Sequence, residues 1–355
     1  MLAQRYPTAY DGIAAAAPGI QWTEFFPSMM WPQQFMSMLG EYPHGCELDA
    51  ITAAAISACD ELDGVADGII GEVDECLQSF DPFELVGRTI NCTQEERTLE
   101  ISSAAAAVVN ATWQGMRNSQ GVQTWPGLSP GTDLAFGVAT TNCSSGPCVG
   151  SPLPIAAEWL SLFVSRDVAL DLSNLSHVEF DWLAHQSGQK YRSIIGTDDP
   201  DLSTFRRAGG KLVTLHGLVS SSFGYVAYTH ITHGLASDNW KKNDQILPPK
   251  GTAMYYDKVL ALQPDTHDFY RHFEVPGMGH CSGGASGNPT GLFNQLQLWV
   301  ENGTTPEQTP VKVTDLGGRV HGRIVCPYPE KAVFDEDCRA AAETCWTCKV
   351  RPSRK

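Results

Sequence analysis

Residues Val275-Pro276-Gly277-Met278-Gly279-His280-Cys281 constrain this chain more than any other stretch. They follow an apolar run, Phe269, Tyr270, Phe273 and Val275, that reads as a buried strand. Pro276, Gly277 and Gly279 force a tight bend after it, and His280 stands at the end of that bend. A histidine on a tight loop behind a buried strand is well placed as a general base, although such a residue also serves simply to close a turn. Two other segments favour the chemical role. Leu212 to Leu218 reads as a second short buried strand, ending at His216-Gly217-Leu218. Asp244-Gln245-Ile246-Leu247-Pro248-Pro249 supplies a carboxylate upstream of the histidine.

The chain has 355 residues, 42% of them hydrophobic, which suits one large or two medium domains. Its formal net charge of −16 argues against nucleic acid and anionic membranes as partners. No apolar run approaches the ~20 residues of a membrane span. Sequons begin at Asn91, Asn110, Asn142, Asn174 and Asn302, whereas Asn288 is excluded by Pro289. Together with 11 cysteines they point to a secreted protein, although no signal peptide is visible. An odd cysteine count leaves one unpaired.

Cys59-Asp60-Glu61-Leu62-Asp63-Gly64-Val65-Ala66-Asp67-Gly68-Ile69-Ile70 interleaves three carboxylates with two glycines. Such a loop can fold back on itself and offer carbonyls beside hard oxygen ligands for a calcium ion. It also reads as an acidic surface turn. An EF-hand is disfavoured because Gly71 stands where that loop needs a glutamate.

Periodicity predicts a helix end at residues 1–6, a buried strand over 11–17, and helices over 47–58, 94–113 and 292–301. Residues 121–154 are rich in Gly, Pro, Ser and Thr and read as loops. The aromatic residues Trp22, Phe25, Phe26, Trp31 and Phe35 suit either an aryl-ester pocket or ordinary core packing. Cys345-Trp346-Thr347-Cys348 lacks a second pair, so disulfide bonding is favoured over zinc.

These segments carry a resemblance. Gly209 to Gly217, Asp244 to Pro249, Tyr255-Tyr256 and Phe269 to Cys281 resemble the tannase/feruloyl esterase family. So do Tyr6-Pro7, Tyr10 to Ile13 and Ala16 to Pro18 near the start, the acidic loop, and Cys326-Pro327-Tyr328-Pro329. Asp followed by His, each after a predicted strand, is also the back half of the Ser…Asp…His order of α/β-hydrolases. The resemblance implies an α/β fold: the C-terminal part of an α/β-hydrolase core with an inserted lid domain. Residues 1–45 would be a core segment, 46–204 a lid holding a calcium loop, 205–335 the core with acid and base, and 336–355 a Cys-rich tail. It implies His280 as base and Asp244 as its orienting carboxylate, in a serine acyl-enzyme mechanism. It assigns calcium (Ca2+) to Asp60, Asp63, Asp67 and the carbonyls of Val65 and Ile69.

In the family the nucleophile lies in a Cys-Ser-x-Gly-Gly elbow just ahead of the segment resembling Met1 to Pro7. That places the serine outside this chain and predicts an incomplete core. A search for Gly-x-Ser-x-Gly finds no suitable serine; Ser220, Ser221 and Ser222 lack the strand–turn–helix context. The resemblance also suggests a Cys59–Cys76 disulfide, a bridge from Cys326 to one of Cys338, Cys345 or Cys348, and an unpaired Cys281. Proximity suggests Cys46–Cys92 and Cys143–Cys148.

Residues 219–242 have no family counterpart and read either as a surface insertion or as a translated intron. Removing them restores His-Gly-Leu-Asn-Asp, while retaining them makes Asp238 a second candidate for the acid. The implied substrates are small-molecule or plant cell-wall aryl esters, feruloyl or galloyl. The rival reading is a non-catalytic, calcium-stabilised domain derived from such an esterase.

Overall fold

The computed structural model describes residues 1–93, 95–218, 247–281, 283–338 and 342–350. Asp244, Asp238, Ser220 to Ser222 and the whole segment 219–242 lie outside the described residues.

Three parallel strands form the sheet that positions the histidine. They are β1 (Gly12–Ala16), β2 (Lys211–Gly217) and β3 (Tyr270–Val275), with β2 in the middle. The register pairs Ala16 with Leu215 and Gly217 with Val275, so the C-terminal ends of β2 and β3 lie side by side. Strand alternation sends Val213, Phe273 and Val275 to one face, against Leu292, Leu296 and Trp299 of helix Gly291–Asn302. Leu212 and Tyr270 go to the other face, against Tyr255, Tyr256 and Val259 of helix Lys250–Leu262. A parallel sheet covered on both faces is the usual solution for such strands. β1 departs from the buried strand the sequence predicts. Its residues are half-buried or exposed, because only β2 pairs with it among the described residues and its Gly and Ala side chains bury little.

A second core is helical. Phe25, Phe26, Met29 and Met30 of helix Trp22–Leu39 pack with Leu48 and Ile51 of helix Gly45–Cys59, Val108 and Val109 of helix Ser103–Gln114, and Phe180 and Leu183 of helix His177–Ile195. Helix Trp22–Leu39 therefore shares its core with the region after residue 46, not with the sheet. Its aromatic residues serve mostly as packing: Phe25, Phe26 and Trp31 are buried, while Trp22 is exposed.

The helix expected over 94–113 begins later. Thr89–Cys92 and Arg97–Glu100 form an antiparallel hairpin, and the helix spans Ser103–Gln114. Ser102 caps it, accepting from the Ala105 amide at 3.1 Å, and the Cys46–Cys92 disulfide pins the hairpin. Ile101 falls at helical spacing from Ala105, Val108 and Val109 but precedes the Ser102 cap, and Leu99, two residues before it, belongs to the strand.

Antiparallel ribbons Thr309–Thr314 with Val320–Val325, and Lys331–Phe334 with Trp346–Lys349, complete the C-terminal part. Disulfides join Cys59 to Cys76, Cys143 to Cys148, Cys326 to Cys348 and Cys338 to Cys345. Cys281 is a free, exposed thiol.

Candidate active site and acidic loop

The turn that carries His280 is built by the backbone. After Val275 the chain doubles back, with Gly279 N–H donating to the Gly283 carbonyl at 2.9 Å and Ser286 N–H to the Gly277 carbonyl at 2.8 Å. His280 and Cys281 stand at the tip, His280 partly buried and Cys281 exposed. Two glycines make this possible. Gly277 has φ +79°, where a side chain is strained, and a Cβ there would meet Ile69 Cδ1 at 2.7 Å. Gly217, at the end of β2, runs directly beneath the turn. A Cβ on it would strike the Gly279 and Met278 carbonyl oxygens at 2.1 and 2.4 Å. The sequence names Gly217 as the end of a strand but assigns it no role. That role is to let two backbones touch.

The acidic loop lies against the same turn, since Ile69 shares a core with Val275 and Met278. Asp60, Asp63 and Asp67 are all buried side chains of the loop, although their carboxylate oxygens do not all lie within 4.8 Å of one another. Asp60 Oδ1 accepts from the amides of Asp67, Gly68 and Ile69 at 3.0, 2.7 and 3.1 Å, which folds the loop around it. Asp63 accepts from the Val65 amide at 3.1 Å, and Asp67 from the Ile69 amide at 3.0 Å. No described residue donates to the carbonyl of Val65 or Ile69. Cys59 and Cys76, bonded to each other, bracket the loop.

The sequence missed Arg323. Buried in the C-terminal ribbon, it reaches Asp63 at 2.5 Å and Asp67 at 3.4 Å and stacks over Trp346 with 4.3 Å to the ring centroid. Its partners are 260 and 256 residues away, so no local pattern announces it. Burial raises Asp60 above the ordinary carboxylate range, against the pull of its three amide donors. Burial also pushes Asp67 up to about 6, opposed by Arg323 and reinforced by the charges of Asp63 and Asp60.

The described residues include one literal Gly-x-Ser-x-Gly, at Gly127-Leu128-Ser129-Pro130-Gly131. Ser129 is buried in a loop, its carbonyl taken by Thr132, with no strand leading into it and no helix following. It does not form a nucleophile elbow.

Residues 1–348 match the family model "Tannase and feruloyl esterase". The chain belongs to this family. It is 32% identical over 334 residues to a probable feruloyl esterase of Arthroderma benhamiae, covering 92% of this chain and 57% of that protein. It is 26% identical to a mono(2-hydroxyethyl) terephthalate hydrolase of Piscinibacter sakaiensis, covering 99% and 62%. The solved tannin acyl hydrolase from Aspergillus niger shares the fold, with a TM-score of 0.79 at 23% identity over 99% of this chain and 62% of that one. The chain thus spans about three fifths of the length of these relatives. Among the described residues no helix is long and apolar enough to cross a membrane.

Proposed function

We propose that this chain supplies the acid–base half of a secreted serine carboxylic ester hydrolase acting on small aryl esters. His280 would take the proton of a serine as it attacks the ester carbonyl, then return it to the leaving alcohol. Asp244 would orient the imidazole and stabilise its protonated form. The observation that carries the reading is the place of His280: a backbone-clamped tip at the C-terminal ends of β2 and β3, in a member of an ester-hydrolase family. Open α/β sheets put their chemistry at that edge. Feruloyl and terephthalate groups in the relatives' names support an aromatic acyl substrate.

We further propose calcium at the acidic loop. Three carboxylates lie buried in one loop, and no described residue donates to the carbonyls of Val65 and Ile69. Asp60, Asp63, Asp67 and those carbonyls would hold the ion, whose charge would stiffen the loop on which the His280 turn rests. The disulfides, and the exposed positions of Asn91, Asn142, Asn174 and Asn302 in their sequons, support secretion.

The test is hydrolysis of methyl ferulate and methyl gallate by the enzyme made from the whole coding region. His280→Ala is expected to lower kcat by ~10⁴–10⁶-fold with little change in KM. Undiminished turnover in that variant would overturn the assignment and favour a domain without a catalytic role.

A further inference from the structure

A cavity of about 150 Å³ lies behind the sheet, under Pro276 and Leu218. β3 contributes Glu274 to it, on the face opposite Phe273 and Val275. Glu274 is half-buried and lines this cavity, and no hydrogen bond or ion pair joins its carboxyl to a described residue. The nearby cations are engaged elsewhere. Lys331 pairs with Glu72 at 2.7 Å, Lys250 with Asp74 at 2.5 Å, and Arg323 with Asp63 at 2.5 Å. Tyr328 donates to Asp257 at 3.1 Å, and Glu330 completes the charged wall. Every described element with charged groups around the cavity is thus represented: segment 71–74 by Glu72 and Asp74, helix Lys250–Leu262 by Lys250 and Asp257, the acidic loop by Asp63, and the C-terminal ribbons by Arg323, Tyr328, Glu330 and Lys331.

We propose that Glu274 is a pH-sensitive latch between β3 and segment 71–74. While Glu274 is neutral, each lysine keeps its own carboxylate, and Glu72 and Asp74 are tied to the C-terminal ribbon and to helix Lys250–Leu262. When Glu274 loses its proton to solvent, an unpaired carboxylate appears in the cavity. It draws Lys331 or Lys250 away from its partner, and segment 71–74 loses that tie. Segment 71–74 continues the acidic loop and β3 leads into the His280 turn, so one proton sets how firmly the two are joined.

Burial pushes Glu274 up to about 7, with Lys331 and Lys250 pulling it down and Asp74 and Asp257 adding to the rise. The sign follows from linkage. The folded chain binds an extra proton between the ordinary glutamate range and neutrality, so stability falls as pH rises through that window. The loss is complete above pH ~7 and reaches roughly 300-fold in the folding equilibrium, tenfold per unit of pKa rise.

Three measurements decide it. Carboxyl ¹³C titration of the wild-type protein should place the Glu274 midpoint near neutrality. Unfolding curves of wild type and Glu274→Gln should coincide near pH 4.5 and diverge above pH 7, with the variant the more stable. At pH 8, amides of segment 71–74 should exchange faster in wild type than in Glu274→Gln at the same pH. A midpoint in the ordinary glutamate range, or parallel unfolding curves, would overturn the proposal. Equal exchange in segment 71–74 would reduce Glu274 to an acid with no latch.

Discussion

The His280 turn and the acidic loop touch at Ile69 and Gly277, yet different forces hold them. The turn has no charged side chain in its framework. It is fixed by amide–carbonyl bonds and by the close approach of backbone at Gly217. The loop is fixed by buried charge: three carboxylates, a distant arginine and a bracketing disulfide. Close backbone packing fixes the position of His280, while the charge that would stabilise its protonated form is assigned to Asp244, outside the turn. A loop made of aspartates cannot close without countercharge. Substitutions should therefore damage the two regions by separate mechanisms.

The largest effect is expected at Arg323. Arg323→Met keeps much of the volume but strands Asp63 and Asp67, and breaking one side of a buried pair costs about 3–5 kcal/mol. Denaturant unfolding reads this directly, and a loss below about 1 kcal/mol would mean that the loop does not depend on its charge balance. Replacing both Cys59 and Cys76 by serine should cost about 3 kcal/mol, the entropy of a loop of similar length. The comparison sharpens if that loss leaves the His280 turn intact.

On the other side, Gly217→Ala adds a single carbon atom against the Met278 and Gly279 carbonyls. It should cost about 1–3 kcal/mol, because backbone on both sides must shift. In the active enzyme it should lower kcat more than it changes KM, by displacing His280. Indifference of both stability and kcat would show that β2 does not support the turn. An effect of similar size is expected from a chelator, acting on the loop alone. A calcium ion at a hundredfold excess over its Kd stabilises by about 2.7 kcal/mol, so removing it should lower the Tm by a few degrees, and Asp63→Ala should abolish the difference.

The turn was legible in sequence because glycines and a proline after an apolar run state a backbone requirement locally, and β2 and β3 were legible for the same reason. The start of helix Ser103–Gln114 was not. Ile101 continues the helical spacing of Ala105, Val108 and Val109, while the disulfide and the Ser102 cap that end the hairpin act through partners the pattern does not display. Helix Trp22–Leu39 looked like part of the sheet region because it precedes the acidic loop in sequence, whereas its apolar residues face the helical core. The acidic loop was visible as a run of aspartates, but its counterion lies more than 250 residues on. Glu274 was invisible as a candidate because an acid at one position of a strand says nothing of the cavity behind it.

The division between backbone and charge is tested most directly by amide hydrogen exchange in Asp63→Asn. This substitution removes one of the charges that Arg323 answers and leaves the turn untouched. The account predicts faster exchange at Gly68 and Ile69, whose amides bond Asp60, with Gly279 and Ser286 as protected as in the wild type. Parallel loss of protection at Gly279 and Ser286 would contradict it, showing that the histidine turn is held by the acidic loop and not by its own backbone.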